Sequence, residues 1–337
     1  MQAWEIVSDG GVDALALNQR EIPQPGPGQV RMRVHASSIN YRDLATIEDP
    51  VSRRLSYPSV PNSDGAGEVD ALGAGVTEFA VGDRVMGCFF QDWEAGPITP
   101  GAMASALGGA RPGVLVHYAI LDARGVIAMP QHLSFAEAAT LPCAALTAWH
   151  ALTLPRPVAP GETVLLLGTG GVSVFAQQFC ALMGARTIAT SSSDEKLERM
   201  RALGAQETIN YRTNPDWEKI VLELTGGVGA DRVVEVGGPG TLQKSISAVR
   251  VGGSIGLIGI LTGVQGAIAP TDLMRKSISL RGIYVGSRQM FAEMNRAIAL
   301  HALRPVIDED FAFDAAREAY RRMRQASHFG KLVIHVG

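Results

Sequence analysis

Residues 163–184 constrain this chain more than any other stretch. Thr163-Val164-Leu165-Leu166-Leu167 is a continuous apolar run, the pattern of a strand buried on both faces of a parallel sheet. It passes at once into Gly168-Thr169-Gly170-Gly171-Val172-Ser173. Beyond that turn Val172, Phe175, Ala176, Phe179, Cys180 and Met183 fall on one helical stripe, and Gly184 stands where a left-handed cap ends a helix. Strand, glycine turn and helix in this order predict an α/β unit. From residue 134 onward apolar strands alternate with amphipathic helices, so the unit belongs to a parallel-sheet domain.

Glycines at such a turn let the backbone approach a pyrophosphate, whose charge is met by unpaired N–H groups at the helix start. Gly168, Gly170, Gly171 and Val172 are therefore candidate cofactor contacts, with Ser173 in the place of the third glycine of a G-x-G-x-x-G pattern. The next strand, 186–190, runs into Ser191-Ser192-Ser193-Asp194-Glu195-Lys196. A unit that binds NAD sets an acidic side chain about 20 residues past the glycines, to grip the ribose 2′-hydroxyl. Here Ser191 fills that place. Ser191 and Ser192, with Lys196 nearby, suit a 2′-phosphate, which favours NADPH over NADH. The plainer alternative has Ser193 or Asp194 capping a helix at 195–203 and Lys196 as a solvated surface charge. Tyr211 and Arg212 are weaker candidates to flank the adenosine end. Gly237 and Gly259-Ile260 follow later apolar strands, at the carboxyl edge where open α/β sheets bind ligands. Glu235 either touches ribose or braces its strand end.

The first third has a different texture. Residues 29–34 alternate in period two, as a half-exposed strand does, and short β-branched runs broken by Gly and Pro predict a small β-rich domain. Residues 91–113 are Gly, Pro, Ala and Ser without periodicity, a long surface loop that either borders a pocket or decorates it. After residue 287 come a helix, a further amphipathic helix near 315–323 and a last strand at 332–335. At 337 residues the chain has room for two domains. A net charge of −3 offers nothing to attract nucleic acid or an anionic membrane, and no apolar run approaches the roughly 20 residues of a membrane span. Cys88, Cys143 and Cys180 are odd in number and widely spaced, which reads as free thiols in a reducing, cytoplasmic setting.

Taken together, these residues resemble the medium-chain dehydrogenase/reductase superfamily over essentially the whole chain. The landmarks are Pro25-Gly26-Pro27-Gly28-Gln29-Val30, Asn40-Tyr41-Arg42-Asp43, Gly65-Ala66-Gly67-Glu68-Val69, Gly82-Asp83-Arg84-Val85, Thr147-Ala148-Trp149, the glycine turn and Val285-Gly286-Ser287-Arg288. The match is closest to the zinc-independent, quinone-oxidoreductase-like branch, often labelled alcohol dehydrogenase or quinone reductase. The resemblance implies a GroES-like β-barrel domain, 1–124 plus 288–337, and a Rossmann doubly wound parallel-sheet domain, 125–287, with the active site in the cleft between them. It also implies that Gly286 and Ser287 bring backbone to the nicotinamide carboxamide, and that the chain forms a homodimer through a strand at 278–285.

Departures from the family pattern carry the chemistry. Zinc-dependent relatives have Cys where this chain has Asn40, His where it has Ser63, and Glu where it has Asp64; only Cys143 matches the third ligand position. One thiolate cannot make a catalytic zinc site, and three cysteines cannot build the four-cysteine structural lobe, so no metal is expected. Cys143 then reads as a small buried hydrophobe rather than a nucleophile. Without a Lewis acid the easier reaction is hydride transfer from NADPH to a quinone or an α,β-unsaturated carbonyl compound, since the charge that develops is delocalised and a few donors suffice. The resemblance places Asn40 and Thr147 near nicotinamide and substrate and makes Tyr41 and Tyr57 candidate donors. Tyr41 reads equally as a barrel tyrosine anchoring its loop, Asn40 as a partner of local backbone, and His117 as a structural histidine. Two other classes stay open: a metal-free alcohol or aldehyde dehydrogenase, and a non-catalytic NADPH-binding sensor or structural protein.

Overall fold

A computed structural model describes all 337 residues, which divide by contacts into two compact units, 1–146 with 285–337, and 147–284. The change of unit falls later than the expected 124/125. The reason is pairing and packing: the strand Val126–Ala128 runs antiparallel to Arg84–Gly87, and the helix Phe135–Ala139 packs on the strands Gln29–Ile39 and Asp64–Leu72. On the return, residues 285–287 also join the first unit, where Ser287 caps the helix Arg288–Leu300 through a bond from the Met290 N–H.

The first unit is built on a seven-stranded sheet. Its central strand, Gln29–Ile39, is longer than its period-two pattern suggested, and pairs antiparallel with Asp64–Leu72, Tyr118–Asp122 and the C-terminal strand Lys331–His335. The expected return of the tail is thus a strand addition, and the last strand also pairs in parallel with Ile307–Phe311. Gly67 shows why the Gly65-Ala66-Gly67 motif is needed: a Cβ there would stand 1.9 Å from the Arg33 carbonyl oxygen, so only glycine lets the two strands cross at this register irregularity. Trp4, Ile6, Ile39, Tyr320, Leu332 and Ile334 fill one core beneath the sheet.

The second unit is the doubly wound sheet. Six parallel strands lie in the order Glu207–Asn210, Arg186–Ser191, Thr163–Leu166, Ala230–Glu235, Val249–Leu257, Ser279–Gly282. Chain order reverses beside Thr163–Leu166, the switch point at which such sheets bind ligands. The helix Gly171–Met183 ends at Gly184 with φ of 70°, as its sequence predicted. Buried Arg232, within a central strand, donates to the carbonyls of Ala151, Leu154 and Arg156, satisfying the end of the helix Leu146–Thr153. The strand expected over 278–285 is only Ser279–Gly282, because the backbone turns left-handed at Ser277 and Val285. Within 91–113 one helical turn, Pro100–Met103, forms under a Thr99 cap, too short to show a period. No helix is long and apolar enough to cross a membrane.

Candidate functional site

In the second unit the glycine turn has the shape its sequence implied. Gly168 sits at φ 74°, outside the reach of ordinary side chains, and its N–H donates to Thr190 Oγ1 at 3.2 Å. Gly170 caps the helix in extended backbone, and a Cβ built on it meets nothing within 4 Å: the turn faces open space. Gly171 and Val172 begin the helix, whose first N–H groups lack intrahelical acceptors. Ser173 does more than stay small. Its hydroxyl donates to the Leu167 carbonyl at 2.6 Å, tying helix to strand end where a third glycine would rely on contact alone. This cradle fits a dinucleotide pyrophosphate.

At the next strand end Ser191 is buried, its hydroxyl accepting the Ser193 N–H, while Ser192 and Lys196 are half-buried. Ser193 caps the helix Asp194–Ala202 through the Lys196 N–H, as the plainer alternative had it for Ser193. Tyr211 is exposed and its N–H donates to the Ser191 carbonyl; Arg212 is exposed beside it. Gly237, Gly259 and Ile260 do lie past the ends of Ala230–Glu235 and Val249–Leu257. Gly259 must be glycine, since a Cβ would fall 1.8 Å from the Val236 carbonyl oxygen. Glu235 is a brace. One carboxylate oxygen accepts from the N–H groups of Gly237 and Gly238 and from Thr241 Oγ1, the other from Ser245 Oγ, so both are occupied within the chain.

In the first unit the structure gathers residues far apart in sequence. Asn40 ends the long central strand and caps the helix Tyr41–Glu48; its backbone N–H donates to the Asp43 carboxylate at 2.9 Å. Its side-chain Oδ1 accepts from Lys331 Nζ at 2.5 Å, and the same Nζ donates to the Ile39 carbonyl at 2.6 Å. Lys331 is only 3% exposed. Ser63 Oγ donates to Asp64 Oδ1 at 2.7 Å, and the Cys143 N–H, on the π-helical turn Leu141–Ala145, donates to Asp64 Oδ2 at 3.1 Å. Burial pushes the Asp64 carboxyl up to about 6; the positive charge of Lys331 opposes the rise, Asp43 adds to it, and the Asn40 amide and Ser63 hydroxyl, as donors, oppose it further. Burial drives the Cys143 thiol far above its ordinary value, with Asp64 adding to the effect, so it is no thiolate nucleophile. Arg42 donates to Asp43 and to the carbonyls of Leu107 and Gly108, holding the 91–113 loop.

The other expected residues are spread between the units. Tyr41 and Tyr57 are 44% and 43% exposed in the first unit. Thr147 is buried at the start of the second unit. Gly286 and Ser287 belong to the first unit, with the Ser287 hydroxyl engaged as a helix cap. His117 accepts the Gln2 N–H and packs on Phe313, and burial lowers its pKa, a structural role. The residue that sequence reasoning missed is Lys331. Its signal was a lone lysine opening the apolar run Leu332-Val333-Ile334. The sequence reading expected a few donors and no metal; Lys331 adds a buried amino group beside them.

Comparison with known proteins agrees with this architecture. Residues 26–131 match the family described as alcohol dehydrogenase GroES-like domain, and residues 171–300 match the zinc-binding dehydrogenase family. A zinc-type alcohol dehydrogenase-like protein of Schizosaccharomyces pombe is 43% identical over 97% of this chain and 96% of its own length. A quinone oxidoreductase of Pongo abelii is 27% identical over 99% of this chain and 97% of its own. A crystal structure of an NAD-dependent alcohol dehydrogenase superposes with a TM-score of 0.91 at 35% identity, covering all of both chains. Of the zinc-ligand positions of zinc-dependent relatives this chain keeps Cys143 alone. No group of three or more His, Cys, Asp or Glu side chains is placed to hold a metal ion, and the Asn40 oxygen is already bonded to an amino group that would repel a dication.

Proposed function

The chain belongs to the medium-chain dehydrogenase/reductase superfamily, and from that premise we propose that it is a metal-independent, NADPH-dependent reductase of quinones or α,β-unsaturated carbonyl compounds. Its relatives are named as dehydrogenases and oxidoreductases, and the similar solved structures include an NAD-dependent alcohol dehydrogenase and a mycobacterial protein complexed with NADPH. The observation that carries the finer reading is the buried Asn40 amide, its oxygen taken by Lys331, in a cluster where Ser63 and the Cys143 N–H donate to Asp64; this arrangement suits hydrogen bonding to a substrate oxygen through the amide and not zinc. Bound NADPH supplies the hydride. A substrate whose accepting carbon is conjugated to a carbonyl spreads the resulting charge, so fixed donors are enough and no Lewis acid is called for. In the second unit residues 168–172 bind the diphosphate, and in the first the Asn40 amide, aided by the hydroxyls of Tyr41 and Tyr57, orients the substrate oxygen. The hydroxyls of Ser191 and Ser192 with Lys196 support the 2′-phosphate.

A second reading, oxidation of an alcohol with NAD, is favoured by the structural likeness to an NAD-dependent alcohol dehydrogenase. One assay separates them: oxidation of NADPH and of NADH followed over quinones, enals and enones, with alcohols tested in reverse, on protein analysed for zinc. Turnover of quinones or enones by zinc-free protein supports the proposal. Stoichiometric zinc with alcohol turnover alone replaces it with the second reading, and cofactor binding without any turnover points to a sensor or structural protein.

A further inference from the structure

Burying an amino group costs several kcal/mol unless bonds or charges compensate. The chain nevertheless places Lys331 at the head of an apolar strand, where a valine would pack without that cost. Its two partners are neutral oxygens and adjacent in sequence: the carbonyl of Ile39, the last residue of the central strand, and Oδ1 of Asn40, the first cap of the following helix. One side chain thus ties down the corner where strand becomes helix. The charged groups around it are Asp64 and Asp43, with Arg42 beside Asp43. No carboxylate lies directly on Nζ.

We propose that Lys331 is the positioning residue of the substrate site: it holds the Asn40 amide in one orientation, carbonyl on Nζ, so that the amide NH2 is the group offered to the substrate oxygen. The inference deepens the reductase reading and rests on it for the identity of that oxygen. An amide is nearly symmetric in shape, and its O and N ends exchange by a half-turn about one bond. Opposite a lysine the ends are not equivalent: the flipped form would set N–H against N–H, while the observed form makes a charge-assisted bond. The consequence is already present in the structure. Asn40 Nδ2 is buried and has no partner within hydrogen-bond distance; it faces the Asp64 carboxylate, whose charged form it favours, and keeps donor capacity for a further acceptor. Lys331 also withdraws electron density through the amide, so the same contact strengthens the NH2 as a donor to an oxygen that gains negative charge.

The test compares Lys331→Met, which keeps length without charge, with Lys331→Arg, which keeps the charge. NADPH affinity and thermal unfolding serve as controls, because the glycine turn lies in the other unit. Lys331→Met is expected to lower kcat on the best quinone or enone 10- to 100-fold with KM changed less than threefold, and Lys331→Arg to recover most of the loss. If Lys331→Met fails to fold, the double variant Lys331→Met with Asp64→Asn removes both charges and is read in the same way. A kcat within twofold of wild type in either neutral variant overturns the proposal. A second readout does not depend on turnover. The side-chain NH2 resonances of Asn40, assigned by their loss in Asn40→Asp, should shift or broaden in Lys331→Met and return in Lys331→Arg. Unchanged resonances overturn the positioning role even if wild-type protein reduces no quinone or enone, an outcome that would sink the reductase reading alone.

Discussion

At Ser191 a single hydroxyl stands where a carboxylate would select against a 2′-phosphate. Its position at the strand end was legible because the spacing from the glycines is set locally; its bond to the Ser193 N–H was not. Ser191→Asp should move the NADPH to NADH ratio of kcat/KM at least tenfold toward NADH, by repulsion of the phosphate. An unchanged ratio in steady-state kinetics contradicts the assignment. Asp64 makes a pH-dependent prediction. Folded, it holds its proton to about pH 6, against about 4 when unfolded. The folded state therefore binds more protons between those values, and the contribution of Asp64 to stability falls as pH rises through them, to a cost of about 3 kcal/mol at neutrality. In urea unfolding, the stability of wild type relative to Asp64→Asn should drop by about 2 kcal/mol between pH 4.5 and 7. A constant difference rules the shift out.

Among the elements, the strand, turn and helix over 163–184 followed their sequence nearly residue for residue, because each signal is local: an apolar run, a glycine turn, a stripe and a cap. Gly170 separates fold from function within that element. Its φ of −79° suits any residue and its Cβ direction is open, so Gly170→Val should leave the melting temperature within about 2 °C while weakening NADPH binding at least 30-fold. Calorimetry of both properties checks it; a fall in stability of several kcal/mol would mean that the turn is structural. Elements governed by neighbours were read less well. The edge strand shrank to Ser279–Gly282, and the loop at 91–113 gained the short helix Pro100–Met103, since four-residue elements have no period to detect.

For the molecule as a whole, two units and a returning tail were anticipated, while the place where one unit yields to the other was not. Residues from 134 read as the start of the α/β texture, yet the helix Phe135–Ala139 packs on the barrel strands, and strand pairing and packing assign 125–146 to the first unit. The strand Ser279–Gly282 has a neighbour on one side only, which leaves its outer backbone N–H and C=O groups open to a second copy. We expect a homodimer, so light scattering on a sizing column should give twice the chain mass, and Leu280→Pro should shift it to monomer. A single-chain mass at micromolar concentration would end that expectation.

Local order, in short, was written in consecutive residues. The dinucleotide cradle needs only neighbours along the chain, and so a reader of residues 163–196 finds it without coordinates. The cluster of Asn40, Asp64, Cys143 and Lys331 joins residues up to 291 positions apart. Nothing in the spacing of those four announces a meeting. It arises because the last strand adds to the central strand of the barrel in a register that sets Leu332 opposite Ile39, which brings Lys331 beside Asn40. Pairing register and burial turned a lone lysine into a buried hydrogen-bond donor, and they did so through contacts that no local pattern encodes.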